Sequence, residues 1–167
     1  MVNEGDEVGE NRYREEYGRI YETFEVGEVY EHRPKRTVTR ADDVWFTSLT
    51  MNTHPPQFDA EYAGDAEVEN EIVNSTLALS IATGMSVSDV SYRAIANLGW
   101  GHVTLGDPLF HGDTLSAESE VLEKRESKSR EGLGIVTVET TGFKQTDDEV
   151  LSFERSIVIP LGNEYHD

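Results

Sequence analysis

The sequence predicts an α+β fold in which an antiparallel sheet wraps around one buried helix. Three observations carry that prediction. Ser75-Thr76-Leu77-Ala78-Leu79-Ser80-Ile81-Ala82-Thr83-Gly84 is apolar nearly all round and built of small residues, as a helix buried on most sides must be. After it the pattern changes to long segments that alternate apolar and polar side chains, the period of a half-buried strand. Those segments are joined by short turns, which connect antiparallel neighbours and not parallel ones. A single apolar helix and several half-apolar strands are satisfied together when the sheet curls over the helix.

Taken in order, residues 1–20 are charged and without apolar period, and read as a flexible acidic N-terminal segment ahead of one domain over 21–167. Phe24, Val26 and Val29 around Gly27 suggest irregular extended structure, and Arg36 to Thr39 a short strand. Thr39 is placed to cap a helix, with Asp42 three residues on and Asp43 beside it in the first turn, where the helix dipole favours acid. That helix is expected to bury Val44, Phe46, Leu49 and Thr50 and to end by Met51. Asn74 is the start signal of the central helix, and Gly84 fits its C-cap. Strands are expected over Ala94 to Leu105, Leu115 to Lys128, Ile135 to Gln145 and Val150 to Pro160, with turns at Gly132–Gly134 and Thr146–Glu149. In the second of these, Leu115, Ala117, Ser119 and Val121 face one way and Glu118 and Glu120 the other. An open sheet of this kind keeps an edge, so a dimer that continues it is expected.

The chain has 33 Asp and Glu against 14 Lys and Arg, a net charge of −19, and no cysteine. Such a surface repels nucleic acid and anionic membranes, and no run is long and apolar enough for a membrane span, so neither partner is expected. Without cysteine there are no disulfides or thiolate sites, which suits a reducing, cytoplasmic compartment. The acids are spread along the chain and lysines are few, a pattern suited to folding in concentrated salt, where self-repulsion is screened. No paired ligand spacing accompanies His102 and His111, and neither a metal nor another cofactor is expected. Lys124-Arg125 and Lys128 to Arg130 form the one basic cluster, either a phosphate contact or a solvated strand edge.

Asp42 to Ala63 (DDVWFTSLTMNTHPPQFDAEYA), Ile72 to Gly84 (IVNSTLALSIATG) and Ala96 to Leu115 (ANLGWGHVTLGDPLFHGDTL) resemble the MaoC-type, R-specific hydratase branch of the hotdog superfamily. Within it they are most similar to the single-domain mesaconyl-CoA (2-methylfumaryl-CoA) hydratase-like proteins. The resemblance implies a hotdog fold, a homodimer or a higher assembly of dimers, and addition of water across the double bond of an enoyl-CoA, with coenzyme A entering as part of the substrate. Typical members carry an aspartate followed five residues later by a histidine; the corresponding positions here are Asn52 and Gln57. It also implies that Asn74, Ser75 and Thr76 at the helix start, with Asn97 and Gly99 in the third block, meet the substrate.

Neither Asn52 nor Gln57 can exchange protons near neutral pH, because amides orient water without titrating. The adjacent titratable groups are His54 and Asp59. His54 and Pro55 each precede a proline and are pushed into extended geometry. Residues two apart then share a face at about 6.5 Å along the chain, which sets His54 beside Asn52. On this expectation Asn52 aims the water, His54 moves the proton and Gln57 is a hydrogen-bonding neighbour; the alternatives are a local turn at Asn52 and a solvent-exposed loop histidine. The amides of Ser75 and Thr76, at the positive end of a helix, would stabilise a thioester oxyanion. The rival function is a non-catalytic hotdog protein that binds an acyl-CoA or a partner.

Overall fold

A computed structural model describes residues 6–9, 12–14, 17–55, 59, 61 and 72–162. Within the N-terminal stretch, β1 (Asp6–Gly9) and β2 (Arg12–Arg14) pair as an antiparallel ribbon. A 3-10 turn at Tyr21–Thr23 leads to β3 (Val29–Glu31) and β4 (Arg36–Thr37), then to helix α1 (Arg40–Leu49) and the central helix α2 (Ser75–Met85). A π-helical turn, Val87–Ser91, follows. The strands β5 (Ala96–Leu105), β6 (Thr114–Glu126), β7 (Leu133–Phe143) and β8 (Glu149–Pro160) complete the described chain.

The long strands form the expected meander: β6 pairs β7 and β7 pairs β8, all antiparallel. β5 joins outside β8, and β3 and β4 both pair β6, giving the order β3-β6-β7-β8-β5. Inward side chains alternate along β6 and β7 as the sequence pattern requires. Leu77, Ala78 and Ala82 of α2 pack on Leu115, Ala117, Leu151 and Phe153 of the sheet, with Val38, Val73 and Leu109. A second apolar cluster gathers Phe24, Tyr30, Val90, Val121, Val136, Val138, Ile157 and Ile159.

A buried polar seam lies between the two clusters along the strands. Ser119 of β6 and Thr140 of β7 are register partners and hydrogen-bond through their hydroxyls at 2.7 Å. His32 is sealed above them, with Nε2 2.7 Å from Ser119 Oγ and Nδ1 2.9 Å from Asp89 Oδ2 of the π turn. Burial outweighs the Asp89 carboxylate and holds this imidazole below its ordinary pKa. Arg155 of β8, also buried, donates from Nη2 to Ser86 Oγ at 2.8 Å.

Two expectations are corrected by these contacts. Gly84 does not end the central helix; Ser86 does, its N–H donating to Ala82 O and its hydroxyl to Thr83 O, so the terminus is closed without a glycine. Helix α1 is rotated from the expected face: Asp43 and Thr47 are buried and Phe46 partly so, whereas Val44 and Leu49 are exposed and so is Thr50. The rotation follows from what Asp43 binds, described below. The cap of α1 is as expected: Thr39 and Asp42 form a reciprocal box, and the Thr39 N–H, then its hydroxyl, with Arg36, hold the Asp42 carboxyl below its usual range.

Candidate active site at the start of the central helix

The first turn of α2 is built by Asn74. Its side-chain oxygen accepts from the Thr76 N–H at 2.9 Å and from the Thr76 hydroxyl at 2.7 Å. Its carbonyl accepts from Leu77 N (2.9 Å) and Ala78 N (3.1 Å). Of the two amides expected to face a ligand, Thr76's is thus engaged by the cap. Ser75 N–H has no acceptor among the described residues, as the first donor of a helix lacks an intrahelical partner.

Asn74 is itself fixed from below. Its N–H donates to Asp43 Oδ1 at 3.2 Å, and Asp43 Oδ2 lies 3.1 Å from His111 Nε2. A carboxylate that is only 3% exposed requires such partners, and they set the rotation of α1. His111 reaches it because Phe110, its neighbour, bridges Ile72, and Val73 N–H donates to Leu109 O at 2.8 Å. Neither Asp43 nor His111 stood out in the sequence: one read as a first-turn acid, the other as a histidine without a paired metal-ligand spacing, and they lie 68 positions apart. A cavity of about 190 Å³ opens beside this helix start, lined by Ile72, Val73, Ser75, Ala78, Leu105 and Leu109 among others.

Asn52 and His54 form a second group, at the far end of α1. The helix closes with Asn52 N–H on Thr47 O (3.0 Å) and Met51 N–H on Ser48 O (3.5 Å), the paired bonds of a Schellman motif. Met51, at φ 56°, occupies the left-handed position that glycine usually takes there. Asn52 Oδ1 then accepts the His54 N–H at 3.0 Å, a local turn that fixes the approach to the prolines and leaves His54 exposed. Gln57 lies outside the described residues. Asn97 and Gly99 are on the edge strand β5, opposite Ile157 and Ser156 across an irregular step. That strand reaches the cavity through Leu105 and not through them.

The wider surroundings hold other candidates at a distance from this chemistry. A groove of about 860 Å³ is lined by Arg33 and Lys35 together with Glu31, Glu118 and Asp147, and by none of the candidate site residues named from the sequence. Lys124 of the basic cluster donates to the carbonyls of Glu22 (3.2 Å) and Phe24 (2.9 Å) and lies over the Tyr21 ring, which makes it a strap. Among the described residues no three His, Asp or Glu side chains converge as metal ligands would, and no described helix is long and apolar enough to cross a membrane.

Comparison with known proteins places this arrangement. A sequence profile described as mesaconyl-CoA hydratase matches residues 6–165. The chain belongs to the mesaconyl-CoA hydratase family. It is 32% identical over 142 residues to the beta-methylmalyl-CoA dehydratase of Chloroflexus aurantiacus, covering 85% of this chain and 40% of that protein. It is 31% identical over 146 residues to the mesaconyl-CoA hydratase of Haloarcula marismortui, covering 87% of this chain and 41% of the other. A solved MaoC domain dehydratase from Chloroflexus aurantiacus superposes with a TM-score of 0.83 at 31% identity, over 90% of this chain and 42% of that one. The fold is the hotdog, as the resemblance implied. This chain spans about two fifths of the length of the curated family members it matches.

Proposed function

We propose that this chain is a hydratase/dehydratase that adds water across the double bond of a short enoyl-CoA, with mesaconyl-CoA and its methylmalyl-CoA product as the substrate pair. Family membership supports the reaction class, and the names of the similar proteins support the substrate. The observation that carries the reading is the Ser75 N–H, a backbone donor at the positive end of a buried helix, beside a mostly apolar cavity sized for a small acyl group. A thioester carbonyl seated there would be held as its oxygen gains charge. Coenzyme A enters with the substrate and no further cofactor is required. On this reading Asn74 and Thr76 hold the helix start. Asn97 and Gly99 meet the substrate from a neighbouring copy's strand.

The edge strand β5 supports a dimeric assembly. It is an edge strand on which Leu98, Trp100, Val103 and Leu105 are each about half exposed, and Ile95 just before it is as well. A second copy pairing its own β5 there would continue the sheet and cover them, giving a homodimer that acts in the cytoplasm.

One assay tests the function. The protein is incubated in molar KCl with crotonyl-CoA and with mesaconyl-CoA, following enoyl absorbance and free thiol. Loss of absorbance without thiol release is the expected result. Thiol release identifies a thioesterase instead, and saturable binding without turnover identifies a passive acyl-CoA binder.

A further inference from the structure

The hydratase reading leaves the proton without an assigned carrier at the helix start, since Asn52 and Gln57 are amides and His54 is exposed beyond the other end of α1. We propose that His111, oriented by the buried carboxylate of Asp43, is the acid–base residue of this site. The inference rests on hydration being the reaction.

Three observations lead to it. First, one carboxylate joins the imidazole to the oxyanion donor's own turn: Asp43 Oδ1 accepts the Asn74 N–H and Oδ2 contacts His111 Nε2, so imidazole and helix start are positioned by the same group. Second, the partner pair is not a packing device. Asp43 is 3% exposed on the one buried face of α1, beside Thr47, where an apolar residue would fill the space without the cost of desolvating a charge. Third, the two histidine–aspartate pairs differ in how far the imidazole is exposed. The ring of His32 is 0% exposed with both nitrogens engaged by Asp89 and Ser119, in the seam away from the α2 start. The ring of His111 remains 17% exposed, enough to meet a small molecule. An aspartate behind an imidazole selects its tautomer and stabilises the imidazolium that forms during proton transfer.

The step balances without a further reagent. The neutral imidazole of His111 takes a proton from water as the water oxygen bonds to the β-carbon of the enoyl thioester. The double-bond electron pair moves toward the thioester oxygen, held by Ser75 N–H. The imidazolium then returns the proton to the α-carbon, a C–H bond forms, and His111 is neutral again. Asp43 remains a carboxylate throughout and is a positioning residue. The other charged group of the same turn, Asp113, is occupied by the Phe110 N–H and the Gln145 amide.

The test compares wild type, His111→Asn, Asp43→Asn and His54→Ala in the hydration assay, with melting temperatures and pH profiles for each. His111→Asn is expected to lower kcat by about 10²- to 10⁴-fold with KM within about threefold, and to abolish the limb of the kcat–pH profile that wild type shows. Asp43→Asn should lower kcat and displace that limb. Where His111→Asn does not fold, His111→Ala is assayed with added imidazole, and restored turnover is the expected result. An active wild type whose limb and kcat survive His111→Asn overturns the assignment and leaves the hydratase reading standing. So does a tenfold or larger kcat loss confined to His54→Ala, by about the size expected of a lost acid–base group. A wild type that hydrates neither thioester overturns both.

Discussion

Ser75 allows its backbone to be edited without disturbing the helix it begins. Proline is tolerated at the first position of a helix because the N–H it lacks has no intrahelical acceptor. Asn74, at ψ 122°, already has the backbone a residue before proline requires. Ser75→Pro should therefore melt with wild type while lowering kcat by about 10²- to 10³-fold, the usual loss for one oxyanion donor. Unchanged turnover in a folded Ser75→Pro protein would place the carbonyl elsewhere. Met51 allows the complementary test. It holds a left-handed φ that costs a non-glycine residue about 1–2 kcal/mol, so Met51→Gly should raise stability in chemical denaturation, and a loss would mean its side chain is held by contacts. The cap residues Thr39, Asp42 and Asn74 were legible in the sequence because capping is local and has a three-residue signature. The Asp43–His111 pair was not, because nothing in either neighbourhood indicates a partner 68 positions away. Asn52 was legible as a residue of note; its side chain is partly spent on the His54 N–H, one of the two uses the sequence left open.

The strands were legible nearly to their ends, because alternation over ten or more residues has no other economical explanation. The polar seam was not. Ser119 reads as one more small inward residue, and Arg155 falls at an inward position of β8 where the pattern calls for an apolar side chain. Its guanidinium meets Ser86 at the C-terminal end of α2, where a cation is favoured by the helix dipole, and only the folded sheet brings the two together. The seam predicts how stability follows pH. His32 has a folded-state pKa below its unfolded value, so below about 6.5 the unfolded chain binds the extra proton first and stability falls as pH falls. His32→Asn should flatten the wild-type decline in denaturation midpoint between about pH 7 and 5, and an equal decline in both would remove His32 as its cause. A second test at this scale is Gly134 in β7, where an added Cβ would sit 2.1 Å from the Tyr21 ring. The ring would have to leave the second apolar cluster, and Gly134→Ala should cost about 1–3 kcal/mol, read as a lower denaturation midpoint with the slope unchanged.

For the molecule as a whole, 167 residues with a net charge of −19 make repulsion a term comparable with total stability. Among the described residues few acids meet a Lys or Arg in close contact: Arg36 meets Asp42, Arg33 meets Glu31, Lys144 meets Asp107 and Asp148, and Arg125 meets Glu123. Most of the remaining repulsion acts between exposed charges over distances that salt can screen, with a Debye length falling from about 10 Å at 0.1 M to 3 Å at 1 M. The β5 edge adds a second consequence, because two copies that pair there bring two surfaces of the same sign together, so screening should favour the dimer along with the fold. Melting should thus rise from low salt to molar KCl, and the rise should be larger than hydrophobic strengthening alone gives. At about 2–4 °C per kcal/mol for a domain of this size, relief of several kcal/mol corresponds to a gain of roughly 10 °C or more. KCl and NaCl should act alike if screening is the cause, and sedimentation should show the dimer population growing over the same range. A melting temperature that is level across that range would mean the acids are arranged so that their repulsion is already balanced in dilute buffer.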